Sequence, residues 1–107
     1  MSATLEAVRK LVAAGEIRIS EHGYDELAED AIFVRDLLDG IDKAVVIEDY
    51  PGFAKGPAVL VLQFDRDDRP VHVVWGIPNG LASPAVLVTA YRPDRKRWSD
   101  DFTERRK

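Results

Sequence analysis

The chain contains two histidines, and each lies where its side chain could do acid–base chemistry. His22 follows a short alternating stretch at a predicted strand-to-helix junction, and His72 lies inside the strand-like run 70–75. Histidine has an unperturbed pKa near neutrality, so two of them in one site can serve as general acid and general base. Both positions also fit structural roles, His72 in a core or sheet rim and His22 hydrogen-bonded at a helix start. The sequence leaves both interpretations open.

Metal-free cleavage of RNA is the reaction that such a pair could carry. It needs a base for the 2′-hydroxyl proton, an acid for the leaving 5′-oxygen and a cation beside the phosphate. His22 and His72 are the candidates for the first two roles. Arg92 is the candidate cation, and Tyr91 or Thr89 could add a hydrogen bond. The hypothesis requires the two histidines to lie close together in space.

The alternation of side chains along a strand predicts which residues share a face with His72. Val74 and Gly76 follow it at a spacing of two, so they lie on the same face. Gly76 leaves room there for a ligand or a bulge. We expect Tyr91 and Thr89 to lie on this face too, although a slip of one residue would reverse the expectation. The opposite face then carries Val71, Val73, Trp75 and Ile77.

Length and composition bound the class of protein. A chain of 107 residues with 46% hydrophobic and 32% charged residues is typical of one globular domain. It has no cysteine, so disulfides, a thiol nucleophile and thiolate metal ligands are excluded. No histidine spacing suggests a metal site, no glycine-rich loop suggests a cofactor, and no apolar run is long enough to span a membrane. The expectation is a cytoplasmic protein without metal or cofactor.

Charge is distributed unevenly along the chain. Residues 1–91 carry 8 basic and 15 acidic groups, a net charge of −7, whereas residues 92–107 carry a net charge of +3. An acidic body is a poor match for DNA, because nucleic-acid binding depends on neutralising phosphates. The basic residues of the tail, Lys107 among them, are interpreted as a solvated C-terminal helix rather than a phosphate-binding surface.

The elements that must position these residues can be predicted from periodicity. Helical spacing predicts a first helix that ends before Gly15, a second capped by Ser20, and a third capped by Asp30 that stops at Gly40 or runs to about Asp42. Strand patterns follow at 44–47, 58–64, 71–77 and 85–91, and short connections predict antiparallel pairing. Trp98 and Phe102 have the spacing of a short C-terminal helix. The predicted fold is α+β: helices first, then an antiparallel sheet of three or four strands.

The order of several short motifs resembles a known family. Residues 19–22 (Ile-Ser-Glu-His), 46–51 (Val-Ile-Glu-Asp-Tyr-Pro) and 69–75 (Arg-Pro-Val-His-Val-Val-Trp) are similar to the family called domain of unknown function 4258. So is 88–94 (Val-Thr-Ala-Tyr-Arg-Pro-Asp), with Trp98 after it. The resemblance covers about residues 17–102 and rests on the order and spacing of the motifs together.

The resemblance implies a small α+β domain similar to the RelE-type and barnase-type ribonuclease toxins, with RNA or a protein such as an antitoxin as partner. Family members often carry arginines in the helix after the first histidine, where this chain has Asp25, Glu26 and Asp30. Carboxylates there would repel a phosphate. The alternative is therefore a non-catalytic member of the same fold, which contacts a partner protein through its acidic helix face or a sheet edge.

Overall fold

The structure, a computed structural model, describes residues 2–106. Lys107, one of the basic tail residues considered above, lies outside the described residues. Three α-helices, a 3₁₀ helix at Ile41–Lys43 and five strands make up the described part. The helices are α1 (Ala3–Ala13), α2 (Glu21–Glu29) and α3 (Val34–Asp39). The strands are β1 (Ile17–Ile19), β2 (Val45–Tyr50), β3 (Ala58–Phe64), β4 (Pro70–Gly76) and β5 (Ala85–Tyr91).

Helix ends follow the capping signals of the sequence, with one exception. The Ser20 hydroxyl accepts a hydrogen bond of 2.9 Å from the amide of Gly23, which confirms Ser20 as the N-cap of α2. Gly15 follows α1 with a φ of +75°, and Gly40 caps the end of α3. Asp30 does not cap α3. Its carboxylate instead accepts a hydrogen bond of 2.9 Å from the amide of Arg92, 62 residues away.

The sheet has five strands in the order β1-β5-β4-β3-β2. The last four strands form the antiparallel sheet that the short connections predict. The α+β class is confirmed, but β1 adds a fifth strand that pairs parallel to β5. More than 60 residues separate these two strands in the chain, which is ample for the crossover that parallel pairing requires.

All three α-helices pack on one face of the sheet, called here the helix side. The predicted face of β4 is confirmed: Val71, Val73 and Trp75 are buried against Leu27 of α2 and Leu37 of α3. Further members of this core are Leu5, Val8, Ile32, Ile41, Val59, Val61, Ile77, Ala85, Leu87 and Ala90. The helix side is the main hydrophobic core, so any accessible site on the sheet has to lie on the other face.

The C-terminal segment, residues 92–106, crosses that other face without forming a helix. The predicted C-terminal helix is therefore wrong. Phe102 has a φ of +64°, which a right-handed helix does not allow. The Asp101 carboxylate accepts hydrogen bonds from the Ser99 hydroxyl and from both the amide and the hydroxyl of Thr103, and such local bonds compete with helical ones. Trp98 and Phe102 still act as anchors, because both are buried against β3.

Candidate functional site

His72 is fully buried between the sheet and the C-terminal segment. Its Nε2 lies 2.8 Å from the carbonyl oxygen of Phe102, and its Nδ1 lies 3.2 Å from the hydroxyl of Tyr91. A carbonyl oxygen only accepts, so Nε2 carries the proton. In the neutral ring Nδ1 is then the acceptor for the Tyr91 hydroxyl. Both ring nitrogens of the candidate base are therefore occupied by protein groups.

Burial keeps both partners of this hydrogen bond neutral. It lowers the pKa of the His72 imidazole, although the hydrogen bond to Phe102 acts in the opposite direction. Burial also raises the pKa of the Tyr91 hydroxyl. At neutral pH the pair is an uncharged imidazole that accepts from an uncharged phenol. This arrangement holds the C-terminal segment on β4 and stabilises the fold.

Aromatic and ionic contacts complete the environment of the His72 ring. The Trp98 ring meets the imidazole edge-on, with ring centroids 4.4 Å apart. Arg105 lies over the Trp98 ring and pairs with both carboxylate oxygens of Glu48 at 3.0 and 3.1 Å. Hydrogen bonds from Arg105 and from the Tyr50 hydroxyl lower the pKa of the Glu48 carboxyl. We call this part of the sheet face, with its cover of residues 92–106, the covered half.

His22 lies on the other side of the sheet. It belongs to α2, which packs on the helix side through Leu27. The His22 side chain is 65% exposed. Its Nε2 lies 3.5 Å from a carboxylate oxygen of Glu26, one helical turn away. His72 lies on the opposite face, in contact with Trp98 and Phe102. The fold does not bring the two histidines together, because the sheet lies between them.

The three other predicted site residues have different surroundings. Tyr91 lies directly opposite His72 in the β4–β5 register, and Thr89 lies opposite Val74, so both share the His72 face as predicted. The Arg92 guanidinium donates to the carboxylate of Asp65 at 2.9 Å. The structure therefore groups His72, Tyr91 and Thr89 on one face but leaves the candidate cation paired with an acidic residue.

A polar cleft of about 300 Å³ lies beside Tyr91. Arg92, Arg97 and Arg105 contribute to its walls, together with Asp94 and Trp98. Arg92 and Arg105 already pair with Asp65 and Glu48, so much of the positive charge of the cleft is neutralised within the chain. The cleft is thus a weak candidate for holding a phosphate, which needs uncompensated cationic donors.

The larger concavity is a groove of about 440 Å³ on the same sheet face, in the part that residues 92–106 do not line. We call it the sheet-face groove, and the part of the sheet beneath it the open half. Val74, Gly76, Val86, Val88 and Thr89 lie along its floor. Arg18, Tyr50, Phe53, Lys55, Gly56, Pro57, Ala58, Ile77 and Pro78 complete its lining. The lining is almost entirely apolar, unlike that of the cleft.

Two backbone features shape this groove. A β-bulge places Val88 as an extra residue of β5 between the Val74–Thr89 and Trp75–Leu87 pairs, which brings Val88 and Thr89 to the same face. The loop 51–57 forms one wall, since the carbonyls of Lys55 and Pro57 accept hydrogen bonds of 3.0 Å from Asn79 and Ile77. Gly76 lies on the floor, where an added Cβ would meet the Pro57 carbonyl oxygen at 3.4 Å and Val88 Cγ2 at 3.5 Å, so its missing side chain is matched by the close approach of its neighbours rather than by open space.

Apolar side chains are exposed along this groove. Phe53 is 55% exposed, Tyr50 is 40% exposed and Val88 is 37% exposed. Two cations accompany them: Arg18 comes from β1 at one edge of the sheet, and Lys55 from the loop between β2 and β3. Within residues 2–106 neither cation has an ion-pair partner. An exposed apolar patch with a polar rim is a common feature of interaction sites.

The groove is not predictable from the sequence, because its parts are far apart in the chain. In the sequence, Arg18 is only the polar position of a short strand, and residues 51–57 are only a turn and a loop. An aromatic side chain at Phe53, within a loop rich in glycine and proline, is the one available signal. The bulge at Val88 has no sequence signature, because it arises from pairing with β4 rather than from local sequence.

Neither a metal cluster nor a transmembrane helix is found in the described part of the chain. No group of three or more His, Asp or Glu residues there is arranged to hold a metal ion. No helix within residues 2–106 has both the length and the apolar character needed to cross a membrane.

Comparison with known proteins yields one match. The family model described as "Domain of unknown function (DUF4258)" matches residues 19–92, about two thirds of the chain. No curated protein and no solved structure matches the chain. The matched region includes both histidines and the floor of the groove, but it ends before Trp98 and Phe102, which cover His72.

Proposed function

We propose that this chain, which belongs to the DUF4258 family of domains of unknown function, is a non-catalytic binding module. Its ligand is an apolar segment of a partner protein, and its binding site is the sheet-face groove. The observation that carries the proposal is the contrast on one sheet face. The only histidine of that face is buried and saturated with hydrogen bonds, whereas the neighbouring apolar groove is open.

The exposed apolar residues of the groove supply the driving force for binding. Tyr50 and Phe53 line the groove beside Val88, which lies on its floor with Val74 and Val86. Removing such surface from water contributes roughly 25 cal/mol for each Å² buried. Aromatic anchors around an apolar centre are characteristic of the residues that dominate binding in protein interfaces. An extended or turn-like segment with two or three apolar side chains fits this shape.

The ribonuclease hypothesis stays a prediction, and the geometry offers it little support. A general acid or base must come within hydrogen-bond reach of the proton it transfers, either directly or through one water. His72 is buried with both nitrogens occupied, and His22 lies across the sheet. The candidate cation Arg92 pairs with Asp65. A catalytic centre here would need the C-terminal segment to leave the sheet.

Peptide display tests the binding function even when the partner protein has not been identified. A library of random peptides is selected on the immobilised wild-type protein, and on the variants Val88→Glu and Val45→Glu. Val88 is at the groove and is 37% exposed, whereas Val45 is a valine of β2 that is 49% exposed and does not line the groove. We expect enrichment of peptides with closely spaced apolar residues on wild type and on Val45→Glu, and its loss on Val88→Glu.

The proposal is overturned if no peptides are enriched on wild type, or if the same peptides are enriched equally on Val88→Glu.

The ribonuclease hypothesis has its own test. Wild type and His72→Ala are expressed in a bacterial host, and growth and RNA integrity are followed after induction. The binding function predicts intact RNA with both proteins, whereas RNA cleavage that depends on His72 would establish the catalytic function instead.

A further inference from the structure

We infer that the segment bound in the sheet-face groove carries acidic groups beside its apolar residues, which pair with Arg18 and Lys55. This inference rests on the proposed binding function and specifies the chemistry of its ligand. The two cations are at different sides of the groove, one on β1 and the other on the β2–β3 loop. A segment that crosses the open half therefore meets a positive charge near each side.

Arg18 and Lys55 share the lack of an ion pair with several other basic side chains of residues 2–106, but both of them line the sheet-face groove. Arg66 pairs with Asp36, Arg92 with Asp65 and Arg105 with Glu48, each at 2.9 or 3.0 Å. Arg18 and Lys55 have no ion pair within residues 2–106, although residues 1–91 carry 15 acidic groups. An acidic protein thus keeps two uncompensated cations at the border of its main apolar concavity.

Desolvation explains why the ligand should carry the matching charge. A purely apolar segment in the groove would remove water from Arg18 and Lys55 and give nothing in return. A carboxylate on the ligand offsets that loss and fixes the position of the segment through charge-assisted hydrogen bonds. The floor selects apolar side chains, and the two cations select their acidic neighbours.

The charge preference depends on close contact with the two cations and not on the net charge of the protein. The net charge of −7 over residues 1–91 repels an acidic ligand at long range, so attraction depends on close contact with the cations. Exposed ion pairs of this kind change affinity by up to about fivefold each. The preference is therefore a modest selection that acts on top of apolar burial.

A pair of fluorescent probes separates the apolar and ionic contributions. N-phenyl-1-naphthylamine is uncharged, and 1-anilinonaphthalene-8-sulfonate has the same ring system with an added sulfonate that stands in for the carboxylate. Both are titrated into wild type, Arg18→Gln, Lys55→Gln and Lys10→Gln. Lys10 is an exposed lysine of α1, so its variant controls for the change in net charge.

We expect the sulfonate probe to bind wild type more tightly than the neutral probe. Its affinity should fall by about threefold to fivefold in Arg18→Gln and in Lys55→Gln, and stay unchanged in Lys10→Gln. The neutral probe should bind all four proteins equally. Acidic residues should also flank the apolar residues of peptides selected on wild type, and this bias should disappear on the double variant of Arg18 and Lys55.

Two different failures can be told apart. If the neutral probe fails to bind, or binds Val88→Glu as tightly as wild type, the groove is not an apolar binding site and the proposed function fails. If the neutral probe binds and depends on Val88, but neither cation affects the sulfonate probe or the peptide bias, only the acidic-ligand inference is overturned.

Discussion

The covered half and the open half of the sheet face lie side by side and share Val74, yet their chemistry differs. On the covered half, the chain's own C-terminal segment supplies an aromatic ring, a carbonyl acceptor and an arginine for groups of the sheet. On the open half, apolar side chains and two cations face outward without such partners. The covered half therefore shows which contacts a segment lying on this sheet face makes: apolar, hydrogen-bonding and ionic.

The comparison indicates how the open half is completed. The covered half is closed by the chain itself, because the Phe102 carbonyl and the Tyr91 hydroxyl occupy both ring nitrogens of His72. The cover combines apolar anchors, Trp98 and Phe102, with an ion pair at its border, Arg105 with Glu48. The proposed ligand of the groove repeats this combination with the charges reversed, since the ligand supplies the acidic groups and the cations lie on β1 and on the β2–β3 loop.

The largest effect is expected when the covered half loses its central residue. His72→Ala removes a fully buried ring, leaves a cavity and deprives the Phe102 carbonyl and the Tyr91 hydroxyl of their partner. We expect the free energy of unfolding to fall by about 3–4 kcal/mol, measured by urea denaturation. His22→Ala is the matched control, and its effect should stay within about 0.5 kcal/mol because that ring is exposed.

If His72→Ala and His22→Ala lowered the free energy of unfolding by similar amounts, the distinction between a structural and a surface histidine would be contradicted. The result also bears on any test of catalysis. If His72→Ala loses activity in some assay, the loss counts as chemical evidence only when the variant is shown to be folded.

An intermediate effect is expected at the wall of the open half. Gly56 has a φ of +122°, and a Cβ there would lie 2.0 Å from the carbonyl oxygen of Ile77. Gly56→Ala should therefore destabilise the protein by about 2–3 kcal/mol, or displace the loop 51–57 and abolish binding of the neutral probe. Gly52 lies in the same loop, and a Cβ added there would have nothing within 4 Å. Gly52→Ala should therefore match wild type in both measurements.

Much of the scaffold could be predicted because it depends on local signals. Ser20 caps α2, Gly15 and Gly40 end helices, and alternation along β4 separates the core residues from the His72 face. The C-terminal helix was predicted wrongly, since the spacing of Trp98 and Phe102 is equally compatible with two anchors on an irregular segment. Their burial against β3 outweighed the weak preference of a short helix.

The candidate site was harder to predict because it depends on distant pairings. The parallel pairing of β1 with β5 sets Arg18 opposite Val86, and the bulge in β5 presents Val88 to the same face. Neither is encoded in a local pattern. Two histidines also look alike in a sequence, whereas the sheet that separates them is a property of the whole fold.

The smallest effect is expected from protonation, and it again separates the two halves. Burial lowers the pKa of His72 below its ordinary value of 6.5, so the unfolded chain takes up that proton at a higher pH than the folded chain. Stability contributed by the neutral ring is therefore fully present above pH 6.5 and is lost as the pH falls below it. One proton changes the free energy of unfolding by at most about 1.4 kcal/mol per pH unit.

Urea denaturation between pH 7.5 and 5.5 measures this effect, because the lowered pKa of Glu48 keeps its carboxylate ionised in the folded protein over that range. Wild type and His22→Ala should lose stability together as the pH falls, whereas His72→Gln should show a flatter profile. Binding of the neutral probe to the groove should not change over this range, since no titrating group lies on its floor. A profile that flattens in His22→Ala instead would mean that the exposed histidine, rather than the buried one, couples protonation to folding.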